Sequence, residues 1–162
     1  MYIHVMRQPG RKDRIAIVPL PCASASLRRA ARVVSQLYEH RMQEAGIKGT
    51  QFTLLQALTI AGDISQGKLG DVLGLDSTTL TRTLGLLRKK GWIQAKPGED
   101  RREVRLILTG EGKRKYEHAL PYWQSAQREL RKLLGDTGWQ QLMRTTIRTA
   151  GLARYRSAAK PG

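Results

Sequence analysis

The sequence predicts a mainly α fold of the α+β class: three short helices and a β-hairpin, set between longer amphipathic helices. Three observations carry that expectation. Apolar residues recur at three- and four-residue steps through most of the chain. Between Thr50 and Leu108 the spacing divides into short segments, each ended by glycine. The third segment then runs into two short apolar stretches around the polar sequence GEDR.

The elements follow in order. From Ser24 to Ala45, Leu27, Ala30, Ala31, Val34, Leu37 and Met42 form one helical stripe, and Gly46 and Gly49 stop it. Thr50 can cap a helix with Phe52, Leu55, Leu58 and Thr59 on its inner face, broken at Gly62-Asp63. Ser65 starts a short helix carrying Leu69, Val72 and Leu73, and Gly74 closes it. Asp76-Ser77 opens the next, in which Leu80, Leu84 and Leu87 share a face. At about 100° per residue, Thr78, Arg82, Gly85 and Lys89 point the other way, with Ser77 and Thr81 at the leading edge.

After Gly91, Trp92–Ala95 and Val104–Leu108 read as strands joined by the turn Gly98–Arg101. Thr109 caps a further helix reaching at least Ala119. Pro121 is a candidate kink before a helical stretch from Trp123 to Leu134, and a final helix spans Gly138 to about Leu152. The expected organisation is a flexible basic arm (1–23), a dimerisation helix (24–49), a winged helix-turn-helix (50–108), C-terminal dimerisation helices (109–153) and a disordered tail (154–162).

Charge sharpens the functional expectation. The formal net charge is +16, which favours a polyanionic partner. Residues 50–81 hold one basic side chain and three acidic ones, whereas residues 82–105 hold eight basic and three acidic. Positive charge therefore sits on the third helix and the hairpin, where a groove binder needs it. Arg82 has the forked geometry that matches guanine O6 and N7, and the short hydroxyls of Ser77, Thr78 and Thr81 allow close approach to bases. Lys89 and Lys90 suit phosphates, and Arg101 or Arg102 suits a minor groove. Charge alone equally fits a basic architectural protein that binds DNA or RNA without sequence choice.

The flanking helices are amphipathic yet distant in sequence from the small winged core. Their apolar faces call for a partner, and a second copy of the chain is the simplest one. No apolar run approaches the roughly 18 residues that span a bilayer. The stretch Ile15 to Cys22 is too short and too proline-rich for an export signal, so a cytoplasmic setting is expected. One cysteine excludes an internal disulfide framework. His4, His40 and His118 are scattered without a second ligand nearby, so no metal or cofactor is expected. No nucleophile elbow, phosphate loop or paired carboxylate points to catalysis.

Leu27–Ala150 resembles the MarR family of bacterial winged-helix regulators. The resemblance rests on LRRAARVVSQLYE, QFTLLQAL, LGDVLGLDSTTLTRTLGLLRKKGWI, EDRREVRLILTGEG and the two-part C-terminal helix. It implies a dimer held by the first and last helices, binding a palindromic operator in double-stranded DNA, usually as a repressor. Groove contacts would fall on Ser77, Thr78, Thr81 and Arg82, and wing contacts on Arg101 or Arg102. Many such regulators release DNA when a small aromatic compound enters the crevice between dimer helices and winged lobe. Tyr38, Phe52 and Trp123 are candidates to line it, although core or interface packing explains the same residues. One branch senses organic peroxide through a cysteine at the start of the first helix. Aligning that branch's first tyrosine with Tyr38 puts its thiol on Ser24 and its second tyrosine on Arg28, while Cys22 lies two residues early. Redox sensing by Cys22 is therefore not expected.

Overall fold

The computed structural model describes residues 21–100 and 103–158, with side chains described as far as residue 151. Helix α1 (Ala23–Glu44) leads into α2 (Gly49–Ala61), the short strand β1 (Ile64–Ser65), α3 (Gln66–Leu73) and α4 (Ser77–Lys89). Strands β2 (Ile93–Pro97) and β3 (Val104–Leu108) form the hairpin, and a long helical segment, Gly110–Ala158, follows. That segment is broken at Gly135 (φ 69°, ψ 168°), and we call its two arms α5 (110–134) and α6 (136–158). The expected α+β winged helix-turn-helix with flanking helices is the fold observed.

The capping chemistry explains most boundaries. Ser65 Oγ accepts from the backbone N–H of Lys68 at 3.3 Å, and Asp76 Oδ1 accepts from that of Thr79 at 2.9 Å. Both satisfy donors that the first helical turn leaves orphaned. Thr109 Oγ1 likewise accepts from Gly112 N at 3.0 Å. The start of α2 differs from expectation. The helix begins at Gly49, before Thr50, and Glu39 Oε1 of α1 accepts from Gly49 N at 2.8 Å. A carboxylate from the neighbouring helix thus replaces the local hydroxyl cap.

Two further differences have clear causes. Pro121 does not break α5. Its fixed φ suits a helix, and the hydrogen bond it forfeits belongs to Glu117, which like Pro121 is exposed and can turn to water. The break comes only at Gly135, inside the gap expected between Leu134 and Gly138, in a backbone conformation that glycine alone adopts without strain. Strand β1 is too short to leave a period-two pattern, yet Ile64 pairs with Leu106 and Ser65 with Arg105. The result is a three-stranded antiparallel sheet of order β1-β3-β2.

One core unites the lobe. Leu80, Leu84 and Leu87 of α4 meet Leu54, Leu55 and Leu58 of α2 and Leu69 of α3 within the same buried cluster, closed by Ile93 and Leu106 of the sheet. Burial of each such side chain contributes about 1.5–3 kcal/mol. Val72, expected to face inward, is 57% exposed, so α3 packs through Leu69 and the edge residue Leu73. Helix α5 joins this lobe tightly. A Cβ placed on Gly112 would lie 1.9 Å from the carbonyl oxygen of Trp92, so only glycine lets the helix start so close to the hairpin.

Candidate nucleic-acid interface

Helix α4 is amphipathic in a way that assigns its two faces. Leu80, Leu84 and Leu87 are at most 2% exposed. Ser77, Thr78, Thr81, Arg82, Lys89 and Lys90 are all exposed, and Gly85 is half-buried. The structure thus brings the six sequence-selected residues of this helix and its C-cap to solvent, with Thr78, Arg82 and Lys89 on the side away from the core. Asp76 anchors the leading end. Its carboxyl is held below the usual carboxylate range by the Thr79 backbone N–H and then by the Thr79 hydroxyl, which donates at 2.7 Å.

The cations of α4 differ in their surroundings. Arg82, Arg88 and Lys89 are exposed and form no ion pair among the described residues, which leaves them available to an anion. Arg88 escaped the sequence reading. It lies three residues before Gly91 and shares the last helical turn with Lys89, where positive charge also suits the helix dipole. Lys90 is different: its Nζ sits 4.5 Å from the centre of the Trp92 ring, and Lys115 Nζ lies 5.4 Å from it. Trp92 is therefore a packing residue stacked with cations.

The hairpin is held by a carboxylate the sequence reading did not single out. Asp63 Oδ1 accepts from Arg105 Nε at 2.7 Å, and Oδ2 pairs with Lys96 Nζ at 2.6 Å. The Asp63 carbonyl oxygen accepts from Arg105 Nη2 at 2.9 Å. One residue before β1 thereby ties both hairpin strands together. Its carboxyl is lowered by the bond from Lys96 and then by that from Arg105, and Asp63 in turn raises the Arg105 guanidinium. Arg105 is consequently engaged internally. The turn closes through Gly98 N donating to the Glu103 carbonyl and Glu103 N donating to that of Asp100, both at 2.8 Å. Arg101 and Arg102, the expected wing contacts, lie outside the described residues.

The aromatic candidates separate. Phe52 is 1% exposed and stacks between Tyr116 (5.3 Å, 20°) and Trp123 (5.8 Å, 25°). It is a core residue. Tyr38 and Trp123 are half-buried. The Tyr38 hydroxyl donates to Gln127 Oε1 at 2.6 Å across α1 and α5, and burial raises its pKa. Two clefts open elsewhere. One of about 830 Å³ lies between α3, the start of α4 and the hairpin, bordered by Gln66, Asp71, Ser77 and Glu103. The other, about 470 Å³, is bordered by Leu58, Asp63, Lys113 and Tyr116. Neither is lined by Tyr38, Phe52 or Trp123. Cys22 is exposed at the N-terminal boundary of α1. Among the described residues no group of three His, Cys, Asp or Glu side chains could hold a metal, and no helix is long and apolar enough to cross a membrane.

The same arrangement of elements recurs in solved proteins. A sequence profile described as MarR family matches residues 45–103. A Mycobacterium tuberculosis transcriptional regulator, MosR, crystallised in complex with DNA, superposes with a TM-score of 0.74 at 30% identity. That likeness covers 83% of this chain and 97% of MosR. The chain belongs to the MarR family. A mutant Escherichia coli MarR complexed with operator DNA is similar at 26% identity and a TM-score of 0.71, over 78% of this chain and 91% of that one. Among curated proteins, YwoH of Bacillus subtilis, an uncharacterised HTH-type transcriptional regulator, is 31% identical over 91 residues, 56% of this chain. The chain spans between 54% and 66% of the length of the curated relatives it matches. The relatives it matches in that family are transcriptional regulators.

Proposed function

We propose that this MarR-family regulator acts as a homodimer that binds a palindromic operator in double-stranded DNA and represses transcription until a small aromatic ligand releases it. The observation that carries the reading is the exposed surface of α4, on which Thr78, Arg82 and Lys89 stand opposite a fully buried leucine stripe, with Ser77, Thr81 and Arg88 exposed along its edge. In the proposed complex that face enters the major groove. Arg82 forks onto a guanine, the hydroxyls approach base edges, and Lys89, with Lys90 and Arg88, neutralises phosphates. Arg101 or Arg102 at the wing tip serves the adjacent minor groove. MosR and E. coli MarR, both crystallised with DNA, support the assignment.

Dimerisation is supported by what the flanking helices leave uncovered. Leu27 and Val33 of α1 are 46% and 61% exposed, and Leu133 of α5 and Ile147 of α6 are 70% and 66% exposed. Pairing two such chains would cover these side chains and set two copies of α4 about 34–36 Å apart, one turn of DNA. For the ligand, the half-buried Tyr38 and Trp123 remain the candidate contacts, with Phe52 acting behind Trp123 as its packing partner. Support for repression and for ligand release comes from the family resemblance.

Selection from a pool of randomised duplexes, followed by titration of the preferred and a scrambled duplex at physiological salt, tests the proposal. A preference of about 10³-fold or more is expected for a specific regulator. A ratio near one would establish the architectural reading, in which the +16 charge alone supplies affinity.

A further inference from the structure

Helices α3 and α4 are joined at their exposed edge by a single side-chain hydrogen bond: Gln66 Nε2 donates to Thr81 Oγ1 at 3.0 Å. The other α4 threonines with hydrogen-bonded hydroxyls use them within α4 and its N-cap. Thr79 Oγ1 donates to Asp76 Oδ2, and Thr83 Oγ1 donates to the Thr79 carbonyl at 2.9 Å. Thr81 is arranged the other way round. Its oxygen accepts, and the hydroxyl makes no other hydrogen bond among the described residues. A hydroxyl carries one donor and two acceptor sites. With one lone pair held by the Gln66 amide and no acceptor for it among the described residues, the hydroxyl proton is left for a partner outside the protein on the exposed face.

We propose that Gln66 is a positioning residue that makes Thr81 a hydrogen-bond donor to the DNA. Thr81 would then require an acceptor at one base step: purine N7, guanine O6 or thymine O4 in the major groove. The specificity at that step is set partly from α3, by a residue that need not touch the base. This inference rests on the DNA-reading role proposed for α4. It also assigns Gln66 a function separate from the capping of α3, which Ser65 already performs.

The test measures relative affinity for all four bases at each position of the selected duplex, for the full chain and for Gln66→Ala, Gln66→Glu, Thr81→Val and Thr81→Ser. Melting temperatures serve as the folding control. Thr81→Val and Gln66→Ala should each flatten the preference at the same step, by about three- to tenfold, the worth of one ordinary hydrogen bond. Combining them should flatten it no further than Thr81→Val alone, and Thr81→Ser should retain it. Gln66→Glu is the discriminating variant. A carboxylate only accepts, so the Thr81 proton turns to it and the oxygen faces the groove. The preferred base should then change to one offering a donor, adenine N6 or cytosine N4. Unchanged base ranking in Gln66→Ala alongside a changed ranking in Thr81→Val would overturn the inference and leave DNA reading intact. Absence of any preference in the unmodified chain would overturn DNA reading, and the inference with it.

Discussion

The winged lobe and the helical arms around it treat their apolar residues in opposite ways. From Met42 to Ala119 most leucines and isoleucines gather with Phe52 into one cluster whose buried members are at most 4% exposed, while Ile60 and Leu86 stay open on the lobe surface. In the arms, Leu27, on the expected stripe of α1, stays open, as do Val33, Leu133 and Ile147. Periodicity thus marks a face that seeks burial, and the topology decides whether the chain itself supplies the cover. The lobe covers its leucine stripes itself, whereas the outer faces of the arms are left without cover. The polar residues invert the pattern: in the lobe they converge on α4 and the hairpin, where a surface of cations is maintained by a few internal ion pairs.

Core truncation should produce the largest effect separating the two regions. Leu84→Ala, at the centre of the lobe, should lower stability by about 2–5 kcal/mol in urea titrations. The same truncation at Ile147 should lower the intrinsic stability of each chain by no more than about 0.5 kcal/mol, as at an open surface site. Equal losses at the two positions would erase the distinction. Next, charge placed on the arms tests what they are for. Val33→Asp combined with Ile147→Asp should leave the helical circular dichroism intact and raise the dimer dissociation constant at least about tenfold, a change of about 1.4 kcal/mol. Sedimentation equilibrium reads this directly, and a doubly charged variant that remains as dimeric as the original would contradict the assigned interface.

Within the lobe, Arg82 and Lys89 should separate reading from gripping. Arg82→Ala should lose about 1–3 kcal/mol of discrimination at one base step, while Lys89→Ala weakens all sequences alike and lowers the salt slope by about one. Uniform loss from Arg82→Ala across duplexes would remove it from the base-reading set. The smallest effect concerns the hairpin clamp. Because its partners depress the Asp63 carboxyl, the clamp's contribution is present at neutral pH and is lost as the pH falls through that lowered value. Asp63→Asn should therefore melt below the unmodified chain at pH 7, with the gap closing in acid, below about pH 4. A gap that stayed constant down to pH 2 would show that the ion pairs do not hold the hairpin.

Much of this architecture is legible in the sequence. Asp76, Ser65 and Thr109 mark helix starts because their side-chain oxygens can serve orphan N–H groups, and Leu80, Leu84 and Leu87 mark the buried face of α4. What stays hidden depends on contacts distant in sequence. Glu39 capping α2, Asp63 clamping Arg105 and Lys96, and Gln66 holding Thr81 leave no local pattern, since each partner is ten or more residues away. Strand β1 is visible only through its pairing with β3. Pro121 misleads because proline removes a bond without forcing a bend, whereas the gap expected between Leu134 and Gly138 narrows to the single residue Gly135. Phe52 illustrates the limit for site residues: an aromatic at core spacing becomes a wall or a filling according to which helix covers it, and here α5 covers it with Tyr116 and Trp123.

The central claim is that two copies of α4 read one turn of DNA through faces the leucine stripe holds outward. Footprinting of the selected duplex, with the bound protein counted by sedimentation, tests it most directly. Two protected major-groove segments about 10 base pairs apart, with two chains per duplex, are predicted. Continuous protection without a half-site repeat, or one chain per duplex, would contradict it.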